Sequence, residues 1–103
     1  MNISQPQMEK LSQEEIARLN KNNLGLDWVV ADDQLTIHRV LTSEKAVNSL
    51  LDKMDQLAEL QRHHPDVTVK GLEVTISLTT HDAAGITLRD FKYAEALEAY
   101  LNS

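Results

Sequence analysis

The stretch Leu72–Thr79 reads LEVTISLT and decides the fold class of this 103-residue chain. Its apolar and polar residues alternate strictly, the apolar ones being Leu72, Val74, Ile76 and Leu78. A strand that has one face on a hydrophobic core and the other in solvent shows this alternation. The stretch therefore predicts a half-buried strand in a sheet that is covered on one side.

Shorter apolar segments upstream predict three more strands. They are Leu26–Val30, Leu35–Leu41 and the segment around Val67 and Val69. Turn-forming residues separate them, ADDQ at positions 31–34 and the pair Lys70-Gly71. We therefore expect the four strands to form two hairpins.

Capping boxes predict where the first and last helices begin. Ser12-Gln13-Glu14-Glu15 and Thr87-Leu88-Arg89-Asp90 both match this motif, in which a hydroxyl and a carboxylate bind each other's backbone N–H groups. The first helix is predicted from Gln13 to Asn20. The last helix has an apolar side made of Phe91, Ala94, Leu97 and Leu101.

A long helix is predicted between the two hairpins. Thr42 or Ser43 can cap its start, and Pro65 is expected to stop it, because the residue before a proline is pushed out of the α region. Apolar residues at i, i+3 and i+4 spacing form its core-facing stripe. They are Val47, Leu50, Leu51, Met54, Leu57 and Ala58.

The resulting element order is α-β-β-α-β-β-α. It predicts an α+β fold, with a four-stranded antiparallel sheet and helices packed on one face. We expect residues 11–103 to form a single domain and residues 1–10 to form a loose N-terminal arm. Because the sheet leaves a face or an edge uncovered, pairing with a second subunit is expected.

Composition excludes several classes of partner. The formal charge is −6 and no basic block is present, so nucleic-acid binding is not expected. The longest apolar run is only the four residues 28–31, which predicts neither a membrane span nor a secretory signal. Cysteine is absent, and the expected location is the cytoplasm.

The residues able to transfer protons lie where the predicted elements meet. His63 and His64 are consecutive at the end of the long helix, and Glu59 lies one helical turn earlier. His81 closes the last strand, and Asp90 lies in the first turn of the last helix. Imidazole, with an ordinary pKa of about 6.5, both gives and accepts a proton near neutrality. Three imidazoles from two neighbouring junctions would suit proton transfer without a cofactor.

Each of these residues also has a structural interpretation. His63 and His64 could interact only with the last carbonyls of the helix, and Asp90 could serve only as the third residue of its capping box. A zinc site built from His63, His64 and His81 is less favoured, because adjacent histidines seldom direct both rings at one ion. His38 is expected to be an exposed strand residue, and no role is assigned to it.

Residues 59–66 (ELQRHHPD), residues 78–87 (LTTHDAAGIT) and Asp90 resemble the pterin-4a-carbinolamine dehydratase family. The family signature is an acidic residue, three spacers, His-His-Pro, a strand hairpin, Thr-His-Asp, a Gly-Leu/Ile-Thr loop and an Asp that opens the last helix. The spacing also agrees, with sixteen positions from Pro65 to His81 and nine from His81 to Asp90. The resemblance extends over nearly the whole chain, with Trp28 where the first strand usually begins.

This resemblance implies a dehydratase that acts on 4a-hydroxytetrahydrobiopterin with no cofactor and no metal. Members of the family are α+β homodimers or dimers of dimers. By similarity, His63 and His81 lie near the reacting C4a–N5 edge of the pterin and His64 lines the pocket. The implied catalytic residues are His63, His64, His81 and Asp90, and the implied substrate-binding residues are Glu59, Thr79 and Thr80.

The chain also departs from the family pattern. Many members have an aromatic residue where this chain has Gly71, and no aromatic residue occurs between Trp28 and Phe91. Aromatic contacts would favour binding of a flat pterin. Some proteins of this fold act as partners instead, for example in the assembly of ribulose-bisphosphate carboxylase or the dimerisation of a transcription factor. The alternative function is therefore a weakly active or inactive protein that binds another protein.

Overall fold

The structure, a computed structural model, describes residues 9–24 and 27–102 and has the predicted α+β architecture. The predicted arm, residues 1–10, lies outside the described residues except for Glu9 and Lys10. A short 3₁₀ turn, His81–Ala83, precedes the last helix. The helices and strands are α1 (Gln13–Asn23), β1 (Val29–Ala31), β2 (Gln34–Val40), α2 (Glu44–Gln61), β3 (Asp66–Lys70), β4 (Glu73–Leu78) and α3 (Leu88–Leu101).

The four strands form one antiparallel sheet in the order β1-β2-β4-β3. One face packs against the helices, and five of its residues have no exposed surface. These are Leu35, Ile37, Val74, Ile76 and Leu78. The opposite face is polar, with Thr36 beside Ser77 and His38 beside Thr75. The alternation in residues 72–79 therefore predicted both faces correctly.

The predicted capping boxes are both present. Ser12 accepts the backbone N–H of Glu15, whose carboxylate accepts the N–H of Ser12. Hydrogen bonds to the Glu15 carboxylate from the backbone N–H of Ser12, and secondarily from its hydroxyl, lower the pKa of Glu15 below its ordinary value. Helix α1 extends to Asn23, three residues beyond the predicted end, and Ser43 rather than Thr42 caps α2.

Helix α2 ends earlier than the sequence predicted, at Gln61 and not at Pro65. Arg62 adopts the left-handed conformation, with φ 51° and ψ 47°, and its N–H donates to the carbonyl of Ala58. This conformation costs a non-glycine residue about 1 kcal/mol or more, so contacts elsewhere must stabilise it. As a result, His63 lies beyond the helix, in the irregular segment that leads to β3.

Tight turns close both hairpins. Asp32 and Asp33 both have positive φ, 52° and 60°, as a two-residue type I′ turn requires. The strand predicted at Leu26–Val30 is observed at Val29–Ala31, and positions 25 and 26 lie outside the described residues. Among the described helices, none is long and apolar enough to cross a membrane.

Candidate active site

His63 is a buried residue tied to a buried carboxylate. It is 7% exposed, and its Nε2 lies 2.5 Å from Oδ1 of Asp90, which has no exposed surface. The left-handed turn at Arg62 takes the chain off the helix axis immediately before His63, while Asp90 comes from the first turn of α3. This contact therefore joins the segment after α2 to the start of α3.

Asp90 combines the capping role with the contact to His63. Its Oδ2 accepts the backbone N–H of Thr87 at 2.9 Å and the hydroxyl of Thr80 at 2.8 Å. Since Thr80 gives its only proton to Asp90, the hydroxyl of Thr87, 2.8 Å away, donates to Thr80. Asp90 lies beneath the site and is not part of its lining, because the helix cap needs the carboxylate at the buried end of α3.

The three predicted histidines line a single cavity of about 270 Å³. Thr79 and Thr80 also line it, while His64 and His81 are exposed. The roles of these histidines and threonines in catalysis and substrate binding stay predictions. The complete lining is Arg62, His63, His64, Thr79, Thr80, His81, Asp82 and Arg89.

Glu59 does not line this cavity. It lies beside an adjoining cavity of about 310 Å³, together with Ala58, Arg62 and His64. Arg62 and His64 line both cavities, so they stand where the two adjoin. The predicted helical spacing put Glu59 one turn before His63, but α2 ends at Gln61, so His63 is not part of the helix that carries Glu59.

Sequence reasoning missed two arginines at the site. Arg89 lines the cavity, and its Nη2 donates to the carbonyl oxygen of Arg62, which stabilises the left-handed end of α2. Both arginines lie inside the motifs, one before His63 and one before Asp90, but they were treated as spacers. Their positions next to motif residues were the only sequence feature that could have indicated a role at the site.

Tyr93 packs against the ring of His63 but does not line the cavity. The two rings are arranged edge to face, with centroids 6.3 Å apart, and the tyrosine hydroxyl donates to the carbonyl of Met54 at 2.8 Å. Burial raises the pKa of Tyr93 to about 12, and the charge of Asp55 adds to the effect. Within the described ranges, no three His, Asp or Glu side chains are grouped closely enough to hold a metal ion.

Comparison with known proteins assigns the family. The profile of the family described as pterin 4 alpha carbinolamine dehydratase matches residues 9–100. The chain belongs to this family. The match includes every helix and strand of the structure up to Tyr100, and both junctions that line the cavity.

Individual relatives agree with this assignment. A protein of Aquifex aeolicus, provisionally named a pterin-4-alpha-carbinolamine dehydratase, is 36% identical over 91 residues, which is 88% of this chain and 90% of that protein. A protein of Christiangramia forsetii with the same provisional name is 36% identical over 96 residues, 93% of this chain and 97% of the relative.

A solved structure shares the fold. It is described as a transcriptional coactivator/pterin dehydratase from Brucella melitensis, and it matches with a TM-score of 0.82. The match covers 88% of this chain and 97% of that one, at 22% sequence identity. At this identity the likeness shows a shared fold.

Proposed function

We propose that this protein dehydrates 4a-hydroxytetrahydrobiopterin by acid–base catalysis with histidine side chains. The observation that supports this most directly is the single cavity lined by His63, His64 and His81, with His63 bound to a buried carboxylate. Its volume lies near the lower end of the range for small-molecule sites, about 300 Å³. Neither a cofactor nor a metal is part of the proposal.

The reaction needs two proton transfers. A general acid protonates the hydroxyl on C4a, the C4a–O bond breaks, and water leaves. The electron pair on N5 forms the new N5=C4a bond, and a base removes the N5 proton to give the quinonoid dihydropterin. One proton enters and one leaves, so two imidazoles on one cavity meet the requirement without any redox step.

The contact with Asp90 defines which nitrogen of His63 is available. A carboxylate only accepts hydrogen bonds, so Nε2 of His63 is the protonated nitrogen in this pair. Nδ1 of the neutral ring is then the basic nitrogen, and Asp90 would stabilise the positive charge when Nδ1 takes a proton. The same logic applies wherever a buried carboxylate orients a catalytic histidine.

His64 and His81 are the imidazoles most accessible to a ligand, because both are exposed at the cavity. His81 lies at the start of the 3₁₀ turn, beside Thr79 and Thr80. Their backbone groups are suited to binding the polar edge of the pterin. We propose that His81 and His63 carry out the two proton transfers and that His64 helps to bind the pterin. The assignment of acid and base between them stays open.

The test is formation of quinonoid dihydropterin from freshly generated carbinolamine, compared with the uncatalysed rate. His81→Ala should lower the enzymatic rate by about 10²- to 10⁴-fold, the usual contribution of a positioned acid or base. His38→Ala is the matched control, because His38 lies on the open face of the sheet and lines a separate cavity with Thr68 and Lys70. EDTA should have no effect.

His63 needs a different substitution. His63→Ala would also disturb folding, because His63 is buried and its loss would leave the buried Asp90 with one partner fewer. His63→Gln retains an N–H donor for Asp90 and removes the basic nitrogen. It should fold normally and lose activity to a similar extent as His81→Ala.

A protein-binding role is the second candidate. The cavity lining includes no Phe, Tyr or Trp, and the Brucella melitensis protein of the same fold is described as a coactivator as well as a dehydratase. If the unmodified protein gives no acceleration over the background rate, the acid–base proposal fails and this role replaces it. Under either function we propose a cytoplasmic homodimer or dimer of dimers.

A further inference from the structure

The charged side chains that line the candidate active site differ in net sign from the whole chain. The whole chain has a formal charge of −6, but the cavity is lined by two arginines and one carboxylate, that of Asp82. The carboxylate of Asp90 lies beneath this lining, where it already accepts from His63, Thr80 and Thr87. A cleft with one sign of charge attracts ligands of the opposite sign, so the cavity favours an anion.

Arg62 is the arginine best placed to bind such an anion. It is exposed, and its guanidinium forms no hydrogen bond or ion pair with any residue in the described part of the chain. Its backbone is nevertheless held, because Arg89 donates to its carbonyl oxygen and its own N–H donates to Ala58. A free guanidinium on a fixed backbone is suited to paired hydrogen bonds with a carboxylate or phosphate.

We propose that Arg62 is a specificity residue that selects pterins with an anionic substituent on the side chain. The inference rests on the proposed function for the position of the pterin ring. With the ring beside the histidines, a substituent that extends toward the adjoining cavity passes Arg62, which lines both spaces. Glu59 lines the far cavity and would repel an anion there, so the anion is bound where the two cavities adjoin.

Direct binding tests this without relying on activity. The probes are 6-carboxypterin and the phosphate monoester of 6-hydroxymethylpterin, each compared with neutral 6-hydroxymethylpterin by the change in pterin fluorescence at pH 7.5. Arg62→Gln should weaken binding of an anionic probe by roughly three- to five-fold, the range of a partly exposed ion pair. Binding of the neutral probe should not change.

Arg18→Gln, which removes an exposed arginine from α1, is the matched control and should change none of the dissociation constants. High salt should reduce the preference for anions, because the Debye length falls from about 10 Å at 0.1 M to about 3 Å at 1 M. A preference for the carboxylate or for the phosphate probe identifies which anion the site takes.

Two results would overturn the inference: equal affinity for neutral and anionic probes, or an equal loss for all probes in Arg62→Gln. If neutral carbinolamine is dehydrated while no anion preference exists, the inference fails and the proposed function stands. If anionic pterins bind preferentially but no dehydration occurs, the proposed function fails and the ligand preference stands. If no pterin binds, both the proposed function and the inferred anion preference fail.

Discussion

At the scale of single residues, Asp90 connects the fold with the site. One oxygen accepts from His63, and the other accepts from Thr80 and from the N–H of Thr87. The carboxylate is fully buried, so each of these bonds offsets part of the cost of removing the charge from water. The start of α3 and the orientation of His63 therefore both depend on the carboxylate of Asp90.

Asp90→Asn should impair catalysis more than folding. Asparagine keeps the size of the side chain, but its NH₂ group cannot accept, so His63 loses the partner that defines its protonated nitrogen. We expect the dehydration rate to fall by about 10²- to 10⁴-fold and the free energy of unfolding to fall by about 1–3 kcal/mol. Steady-state kinetics and urea unfolding measure the two effects.

Glu15→Gln is the control for this variant, because Glu15 occupies the same third position in the capping box of α1. It lines none of the cavities near the histidines. Activity should be unchanged in Glu15→Gln. Equal losses of activity in the two variants would show that Asp90 acts only through helix capping.

The raised pKa of Tyr93 predicts that the protein loses stability at alkaline pH. Its pKa is about 12 in the folded protein, above the ordinary value of about 10, so the folded state favours the neutral phenol. The stabilisation is fully present below pH 10 and is lost as the pH rises from 10 towards 12. Tyr93→Phe should lower stability at pH 8, because the bond to Met54 is lost, but should flatten its decline above pH 10.

Urea unfolding at several pH values measures this slope. Tyr100→Phe, at the other tyrosine of the chain, serves as the control and should retain the steep decline. The prediction fails if Tyr93→Phe and the unmodified protein lose stability equally between pH 10 and pH 11.

At the scale of elements, the two hairpins differ in how their turns are built. Gly71 takes the left-handed conformation in the β3–β4 turn, with φ 61°. In the β1–β2 turn, two aspartates take it instead. Asp tolerates this region better than most residues, but glycine adopts it without steric cost. The carbonyl of Asp33 also accepts the hydroxyl of Thr79, which links this turn to the chain after β4.

Asp33→Gly should therefore stabilise the protein. It creates Asp-Gly, a preferred pair for type I′ turns, and leaves the carbonyl for Thr79 in place. We expect a gain of roughly 0.5 kcal/mol, since relief of strain is partly offset by the greater freedom of glycine in the unfolded chain. Thermal unfolding followed by circular dichroism is the measurement.

Gly71→Ala is the control of opposite sign. A Cβ at this position has no heavy atom within 4 Å, so only backbone strain changes. It should lower the free energy of unfolding by about 1 kcal/mol. A stabilised Gly71→Ala would contradict the assumption that positive φ determines the cost at these turns.

At the scale of the whole molecule, the edge strand β3 is poorly covered. All five of its residues are exposed, and Val67 and Val69 retain 39% and 42% of their surface although they lie on the helix side of the sheet. An exposed, apolar edge strand is a template for pairing with another strand. We expect two copies of the chain to join along β3.

Light scattering at micromolar concentration should therefore report at least twice the monomer mass of 11.6 kDa. Val69→Lys should shift the protein towards monomer, because a charged residue on the edge opposes strand pairing. Val40→Lys is the control, since Val40 is also exposed but lies on the inner strand β2. A monomer for the unmodified protein would refute the prediction.

Local patterns were sufficient to predict most of the fold. The alternation in β4 indicated its buried face, and each capping box indicated a helix start, because these features depend on residues within a few positions of each other. The same holds for His63, His64 and His81, which the predicted order of elements placed at neighbouring junctions. Tyr93 and the buried state of His63 did not follow from any local pattern.

Contacts between distant parts of the chain decided the rest. Arg89 of α3 donates to the carbonyl of Arg62 and so stabilises the end of α2 at Gln61, and Asp90, 27 residues from His63, accepts the hydrogen bond that holds His63 in its buried position. Trp28 similarly donates to Glu98, 70 residues away. Periodicity reports which face of an element is apolar, but such contacts exist only after the elements have packed. The packing therefore decided which residues share a cavity and which lie beneath it.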